Sequence, residues 1–288
     1  MKLADALRLG RVSNLPTVWT NALAGLVLAG GWLDPAPLLL LLLAVSLAYV
    51  GGMFLNDAFD AEIDAVRRPE RPIPSGAVNR GTVLLSGFAL LAASILCLGL
   101  IGAWSGTGLR PAWAGLALAA AIVFYDWHHK DNPLSPVVMA LCRVLVYVAA
   151  AFCVTAAPAL PLWTGALLLF CHLIGLTYLA KHELRARAED LWPTALLVAP
   201  LAYGLAILLR EPAAIVFWLA LAAALFVALR AIRRRGPGDV GFAVMTLIAA
   251  ISLLDALLIA GRDHLGLALL AAIGFVLTLV LQRFVRGT

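Results

Sequence analysis

Apolar stretches long enough to cross a bilayer recur along almost the whole chain. They run near 12–32, 36–57, 81–104, 111–127, 134–156, 160–181, 193–209, 212–230, 240–261 and 264–285. A spanning helix needs about 20 such residues. In lipid every backbone polar group must be satisfied internally, and runs of this length satisfy theirs as helices. The expectation is an all-α membrane protein of nine to ten transmembrane helices, forming a single domain over residues 1–288. Composition agrees: 63% of residues are hydrophobic and 13% charged, against roughly 25% charged in a soluble domain. Lys2, Arg8 and Arg11 precede the first run with no small-residue cleavage site after it, so that run reads as a retained span.

The basic residues fix an expected orientation. With the N-terminus cytoplasmic, inside segments hold 17 lysines and arginines, and outside segments hold 3, namely Arg110, Arg210 and Arg262. That asymmetry follows the positive-inside rule. The short runs 193–209 and 212–230 meet at Arg210-Glu211-Pro212, read as a tight hairpin; merging them would place the Arg230–Arg235 cluster outside. The long polar segments, 58–80, 127–133, 181–192 and 231–239, then all face the cytoplasm, and chemistry is expected there. The net charge of +5 reflects this topology and not nucleic-acid binding. Cys97, Cys142, Cys153 and Cys171 lie in apolar runs without metal-ligand spacing and read as buried structural thiols.

Residues 56–64 carry Asn56-Asp57-x-x-Asp60-x-x-x-Asp64 at the end of an apolar run. At 100° per residue the three aspartates fall within about 60° of one another, and Glu62 points to the other side. Three acids on one face repel one another and call for a cation. Oxygen-only ligands favour Mg²⁺, which commonly bridges a protein carboxylate to a substrate phosphate. Arg67, Arg68 and Arg71 follow in a loop stiffened by Pro72 and Pro74. Guanidinium groups there would absorb charge as a C–O bond to diphosphate breaks.

Two other polar segments and two intramembrane charges complete the candidates. In Tyr125-Asp126-Trp127-His128-His129-Lys130, Lys130 suits phosphate as a point charge, the histidines read as solvated interfacial residues, and Trp127 fits an aromatic belt. In Lys181-His182-Glu183 through Asp190, Glu183 and Asp190 repeat the seven-residue spacing of Asp57 and Asp64. They form either a second metal site or a segment in which Glu183 pairs with Arg187 at i, i+4. Arg143 lies about ten residues into the fifth run; unpaired at that depth it would cost roughly 2.5–3.5 kcal/mol or more. It should face a cavity and meet an acceptor carboxylate, a diphosphate or Glu183, or else pair structurally with a helix carboxylate. Asp255 reads as a packing or pairing residue.

The block Asn56–Gly76, N-D-x-x-D-x-x-x-D followed by Arg71-Pro72-Ile73-Pro74-Ser75-Gly76, resembles the signature of the UbiA superfamily of intramembrane prenyltransferases. Asn14, in Arg11-Val-Ser-Asn14-Leu-Pro16, resembles the first-helix asparagine of that family, and Tyr125-x-x-x-x-Lys130 is similar to its tyrosine-lysine segment. The resemblance implies a helical bundle around a central cavity open to the cytoplasmic side and laterally to lipid. It also implies two Mg²⁺ ions on two acidic motifs, and prenyl transfer from an isoprenyl diphosphate to an aromatic or lipid acceptor. Carried onto this chain, the metal residues are Asp57, Asp60, Asp64, Glu183 and Asp190. The diphosphate residues are Asn14, Asn56, Arg67, Arg71, Lys130 and Lys181, with Lys130 also catalytic beside the three aspartates. Tyr125, Arg143 and Tyr178 line the acceptor cavity. Two features depart from the family pattern: ten spans where nine are usual, and a second motif reduced to Glu183, Glu189 and Asp190. Cys142-Arg143 resembles the Cys-Arg pair of Ebo-type UbiA-like proteins, and the competing expectation is a non-catalytic carrier or exporter of prenylated or small polar metabolites. The expected setting is the cytoplasmic membrane, with the site facing the cytoplasm.

Overall fold

The computed structural model describes residues 2–130, 132–183, 192–234 and 236–285, with side chains excepted at 180–183. Among these residues every regular element is helical. The order is α1 (Leu3–Leu9), a 3₁₀ turn (Val12–Asn14), α2 (Leu15–Leu28), α3 (Pro35–Phe59), α4 (Ala61–Arg67), α5 (Arg80–Trp104), α6 (Arg110–His128) and α7 (Ser135–Phe152). It continues with α8 (Leu160–Glu183), α9 (Trp192–Leu208), a second 3₁₀ turn (Pro212–Ala214), α10 (Ile215–Arg234), α11 (Asp239–Ala249), α12 (Ile251–Ala260) and α13 (Leu265–Leu281). Six segments are long and apolar enough to cross a membrane by length and composition: Pro35–Phe59, Arg80–Trp104, Ser135–Phe152, Leu160–Leu179, Pro212–Arg234 and Asp239–Ala260. Their outward faces carry leucine, phenylalanine and tryptophan, such as Leu96, Leu100, Trp104 and Phe226, each more than 60% exposed. Such a surface is stable only against lipid.

Apart from the short α1 and α4, each helix lies under one of the apolar runs, and the departures are local. The first run does not open as a helix. Arg11 adopts the left-handed region at φ 41°, ψ 46°, and α2 begins only at Leu15, after the 3₁₀ turn. The run 240–261 breaks at Ala250 into α11 and α12. All ten residues of α12 are buried, so this short helix is enclosed by its neighbours.

Two packed halves share α2 and α7. In one, Leu23, Ala24, Val27 and Tyr147 pack against Leu169, Leu221, Leu254 and Ala268 from α8, α10, α12 and α13. In the other, Val18, Ala22, Leu26 and Ala149 pack against Leu41, Val45, Leu98 and Leu118 from α3, α5 and α6. Without a hydrophobic drive inside lipid, helices associate where small residues let backbones approach. Gly51 of α3 and Gly87 of α5 do this reciprocally: a Cβ on Gly51 would lie 2.9 Å from the Gly87 carbonyl oxygen, and one on Gly87 would lie 3.1 Å from that of Gly51. The crossing places the end of α3, with its aspartates, beside the loop that leads into α5. A third, small cluster of Leu9, Phe54, Ala58, Val78 and Val83, with Ile73 against it, fastens that loop to α1 and α3.

Candidate active site

Between the two halves lies a cavity of about 430 Å³, within the range of small-ligand sites. Its lining is divided. One end is polar, with Arg11, Asn14, Asn56, Arg68, Arg71, Tyr125 and Asp126. The walls are apolar, with Val18, Val45, Ala48, Leu118, Ile122, Val146, Leu173, Leu176, Ile248 and Ile251.

The aspartates do not share one continuous helix as the spacing suggested. α3 ends at Phe59, Asp60 caps it at φ −81°, ψ −4°, and α4 resumes at Ala61. At the break Arg80 Nε donates to the Ala58 carbonyl at 2.8 Å, the acceptor that a continuing helix would offer to residue 62. The facing of the side chains nevertheless holds. Asp57, Asp60 and Asp64 are buried at 7, 9 and 6% exposure, whereas Glu62 turns outward and pairs with Arg80 at 3.1 Å.

Protein cations bind all three acids. Arg11 Nη2 lies 3.0 Å from Asp57 Oδ1 and donates to Asn56 Oδ1 at 3.2 Å. Arg71 Nη1 reaches Asp64 Oδ2 at 2.6 Å and Asp57 Oδ1 at 3.2 Å. Its loop is folded back by Ser75 N–H to the Arg71 carbonyl and Val78 N–H to the Pro72 carbonyl, each 3.0 Å. The turn closes at Gly76 with φ +76°, a region that costs glycine little. Lys130 Nζ lies 2.8 Å from Asp60 Oδ1, and His129 Nε2 lies 3.5 Å from Oδ2. Burial alone would raise the Asp60 carboxyl, but His129 and Lys130 together hold it below the usual carboxylate range. Burial would likewise lower the His129 imidazole, and Asp60 outweighs it and pushes it up.

Several site residues stand apart from their sequence-based reading. His129 is half-buried on Asp60 and stacked on Tyr125, with ring centres 5.0 Å apart, so it is no solvated loop residue. His128 is exposed, stacked on Phe124. Arg67 is exposed at the end of α4 and does not line the cavity; Arg68 does. Tyr178 does not line it either; its hydroxyl donates to the Pro133 carbonyl at 2.8 Å and ties α8 to the loop before α7. Asn14 is buried, donating to the Tyr49 hydroxyl at 3.2 Å and accepting from Gln282 Nε2 at 3.0 Å. Cys142 lines the cavity, and the four thiols are unbridged. Asp190 and the side chains of Lys181 and Glu183, expected at the metal and diphosphate sites, fall outside the described residues.

Sequence reasoning missed Arg11 and Asp126 as site residues. Asp126 is buried, accepts from Asn56 Nδ2 at 3.0 Å through Oδ1, and leaves Oδ2 without a hydrogen-bond partner. Its position one residue after Tyr125, at the polar end of α6, was the available signal. Among the described residues no three acidic, histidine or cysteine groups converge on one point. Mg²⁺ still fits the chemistry of the donor set, since the buried acids offer oxygen only.

A family model described as the UbiA prenyltransferase family matches residues 18–268, most of the cavity-forming chain. The chain belongs to the UbiA prenyltransferase family. A digeranylgeranylglyceryl phosphate synthase of Methanopyrus kandleri is 32% identical over 224 residues, 75% of this chain and 75% of the relative. One of the same name from Metallosphaera sedula is 33% identical over 120 residues, spanning 41% of this chain and 40% of that relative's length. A solved structure of digeranylgeranylglyceryl phosphate synthase superposes with a TM-score of 0.64 at 16% identity, over 90% of this chain and 98% of the other. A UbiA homologue from Aeropyrum pernix superposes with a TM-score of 0.51 at 18% identity, over 95% and 98%. At those identities the structures show a shared fold. This UbiA-family chain, with its apolar helices, is an integral multi-pass membrane protein.

Proposed function

We propose that the protein transfers a prenyl group from an isoprenyl diphosphate to an electron-rich acceptor, aromatic in the first instance, inside the membrane. The observation that carries this reading is the divided cavity: Arg11, Asn56, Arg68, Arg71 and Asp126 line one end, Arg11 and Arg71 are ion-paired to the buried Asp57 and Asp64, and apolar walls lie beyond. The same reading has ten spans with both termini cytoplasmic and the polar end facing the cytoplasm, supported by the distribution of basic residues.

The diphosphate head binds at the polar end, held by Arg11, Arg71, Arg68 and Lys130, with Asn14 and Asn56 donating hydrogen bonds. Asp57, Asp60 and Asp64, with Glu183 and Asp190, would hold Mg²⁺, which when bound neutralises diphosphate charge and makes it a better leaving group. The prenyl tail lies along Val18, Val45, Leu118, Ile122 and Val146. As the C–O bond breaks, both electrons leave with the diphosphate oxygen, and the guanidinium groups stabilise the charge that develops there. The apolar walls exclude water from the allylic cation. The acceptor then attacks C1, and Asp126 Oδ2 takes the proton the acceptor loses.

The test is incubation of the purified chain with Mg²⁺, isoprenyl diphosphates of graded length and a panel of phenolic and glyceryl lipid acceptors. Prenylated product and released diphosphate are expected in equal amounts.

A further inference from the structure

Gln282 is buried at the end of α13, a helix whose only other polar side chain is Thr278. Gly274, Thr278 and Gln282 recur every fourth residue and so share one face. A Cβ on Gly274 would lie 2.9 Å from Thr20 Cγ2, and this close approach lays the face of α13 on α2 and on the 3₁₀ turn before it. An amide buried there is costly unless it is hydrogen-bonded. Gln282 Nε2 donates to Asn14 Oδ1 at 3.0 Å. Gln282 Oε1 is buried without a hydrogen-bond partner among the described residues. The side chain is therefore held by what it donates.

That bond opens a directed chain. Asn14 Nδ2 donates to the Tyr49 hydroxyl at 3.2 Å, and the hydroxyl donates to the Arg11 carbonyl at 3.5 Å. The direction is fixed at the far end, because a backbone carbonyl only accepts. Tyr49 gives its one proton to Arg11 and so accepts from Asn14. Asn14 then turns its NH₂ group to Tyr49 and its oxygen away, and the group behind that oxygen must be a donor. The Tyr49 ring meets Arg143 of α7, whose guanidinium carbon lies 5.5 Å from the ring centre. Asn14, Tyr49, Arg11 and Arg143 all line the cavity, and Gln282 stands behind them. Reversing the chain would take the Tyr49 proton from Arg11 and turn the Asn14 oxygen toward the wall. We infer that Gln282 is a positioning residue of the head-group site. From behind the cavity wall it holds the Asn14 NH₂ group on the diphosphate side. Through Tyr49 it steadies the left-handed Arg11 that pairs with Asp57. Gln282 and Asn14 both lie outside the span 18–268 matched by the family model. The inference rests on the prenyl-transfer reading and adds to it a residue that touches neither substrate.

The experiment uses the full chain in detergent as wild type, Q282L, Q282H, N14A and the Q282L/N14A double variant. Geranyl diphosphate with Mg²⁺ is titrated by calorimetry, and thermal melts are recorded beside it. Q282L removes the donor and should weaken geranyl diphosphate binding about fivefold, the worth of one hydrogen bond. In turnover the loss should fall on the KM for the diphosphate more than on kcat. Q282H, whose ring Nε2–H can donate, should recover part of the affinity. In the N14A background Q282L should cost nothing further, because the chain is already cut. If Q282L does not fold, Q282E takes its place, keeping the side-chain shape and setting an acceptor against Asn14 Oδ1. Unchanged affinity in the donor-less variant, whatever its melting temperature, would overturn the inference. So would an equal loss in the wild-type and N14A backgrounds, or a Q282H no better than Q282L. A wild type that does not bind geranyl diphosphate would overturn the transferase reading instead.

Discussion

Arg11, held in the left-handed backbone region, sets its Nη2 3.0 Å from Asp57 Oδ1, 46 residues along the chain. A non-glycine residue in that region stores about 1–3 kcal/mol of strain, and the surrounding contacts must hold it there. The Gly10 N–H to the Ala6 carbonyl at 2.9 Å and the Asn14 N–H to the Arg11 carbonyl at 3.1 Å fix the turn on both sides. The strain thus aims a cation at the acidic cluster.

Arg11→Ala should weaken isoprenyl diphosphate binding at least tenfold, about 1.4 kcal/mol. Arg11→Gly should weaken it similarly while melting no earlier than Arg11→Ala, since glycine tolerates the backbone. Calorimetry and thermal melts of the two variants check this.

Asp57→Ala leaves Arg11 and half of Arg71's pairing without a carboxylate, and breaking a buried pair costs about 3–5 kcal/mol. Asp57→Ala and Asp60→Ala should both abolish Mg²⁺-dependent diphosphate binding. Glu62→Ala removes only an exposed pair with Arg80 and should bind as wild type. Equal damage from Glu62→Ala and Asp60→Ala in a binding assay would defeat the assignment of the buried face.

Much of this was legible in the sequence. Each apolar run became helical, 240–261 as two helices, because lipid leaves the backbone few alternatives, and the outward turn of Glu62 followed from helical spacing. The break at Asp60 was not legible, since the Ala58 carbonyl there is met by Arg80, twenty residues beyond Asp60, a contact with no local signature. Arg11 was hidden for the same reason: its partner is remote, and its backbone region carries no local signature. His129 read as solvent-facing since its contact with Asp60 arises from how α6 ends beside α3. Nothing in residues 240–261 signalled the interruption at Ala250.

Asp126→Asn keeps an acceptor for Asn56 but removes the proton-accepting oxygen. Turnover should fall about 10²-fold or more, with the KM for isoprenyl diphosphate little changed. A parallel loss of diphosphate affinity would assign Asp126 to head-group binding instead. Single-turnover kinetics separates the two.

The proposed topology has its own check. A cysteine at Pro237, exposed in the α10–α11 turn, in a background lacking the four native thiols, should be labelled by impermeant maleimide only from the cytoplasmic side. Labelling from the outside would move the Arg230–Arg234 cluster outside and reduce the span count.

Product formation tests the central claim most directly. Wild-type protein with Mg²⁺, an isoprenyl diphosphate and a matching acceptor should yield one prenylated product per diphosphate released, measured by mass spectrometry and phosphate assay, and Asp60→Ala should yield neither. Wild-type protein that binds isoprenyl diphosphates of every length yet releases no diphosphate with any acceptor would contradict the transferase account and favour a carrier.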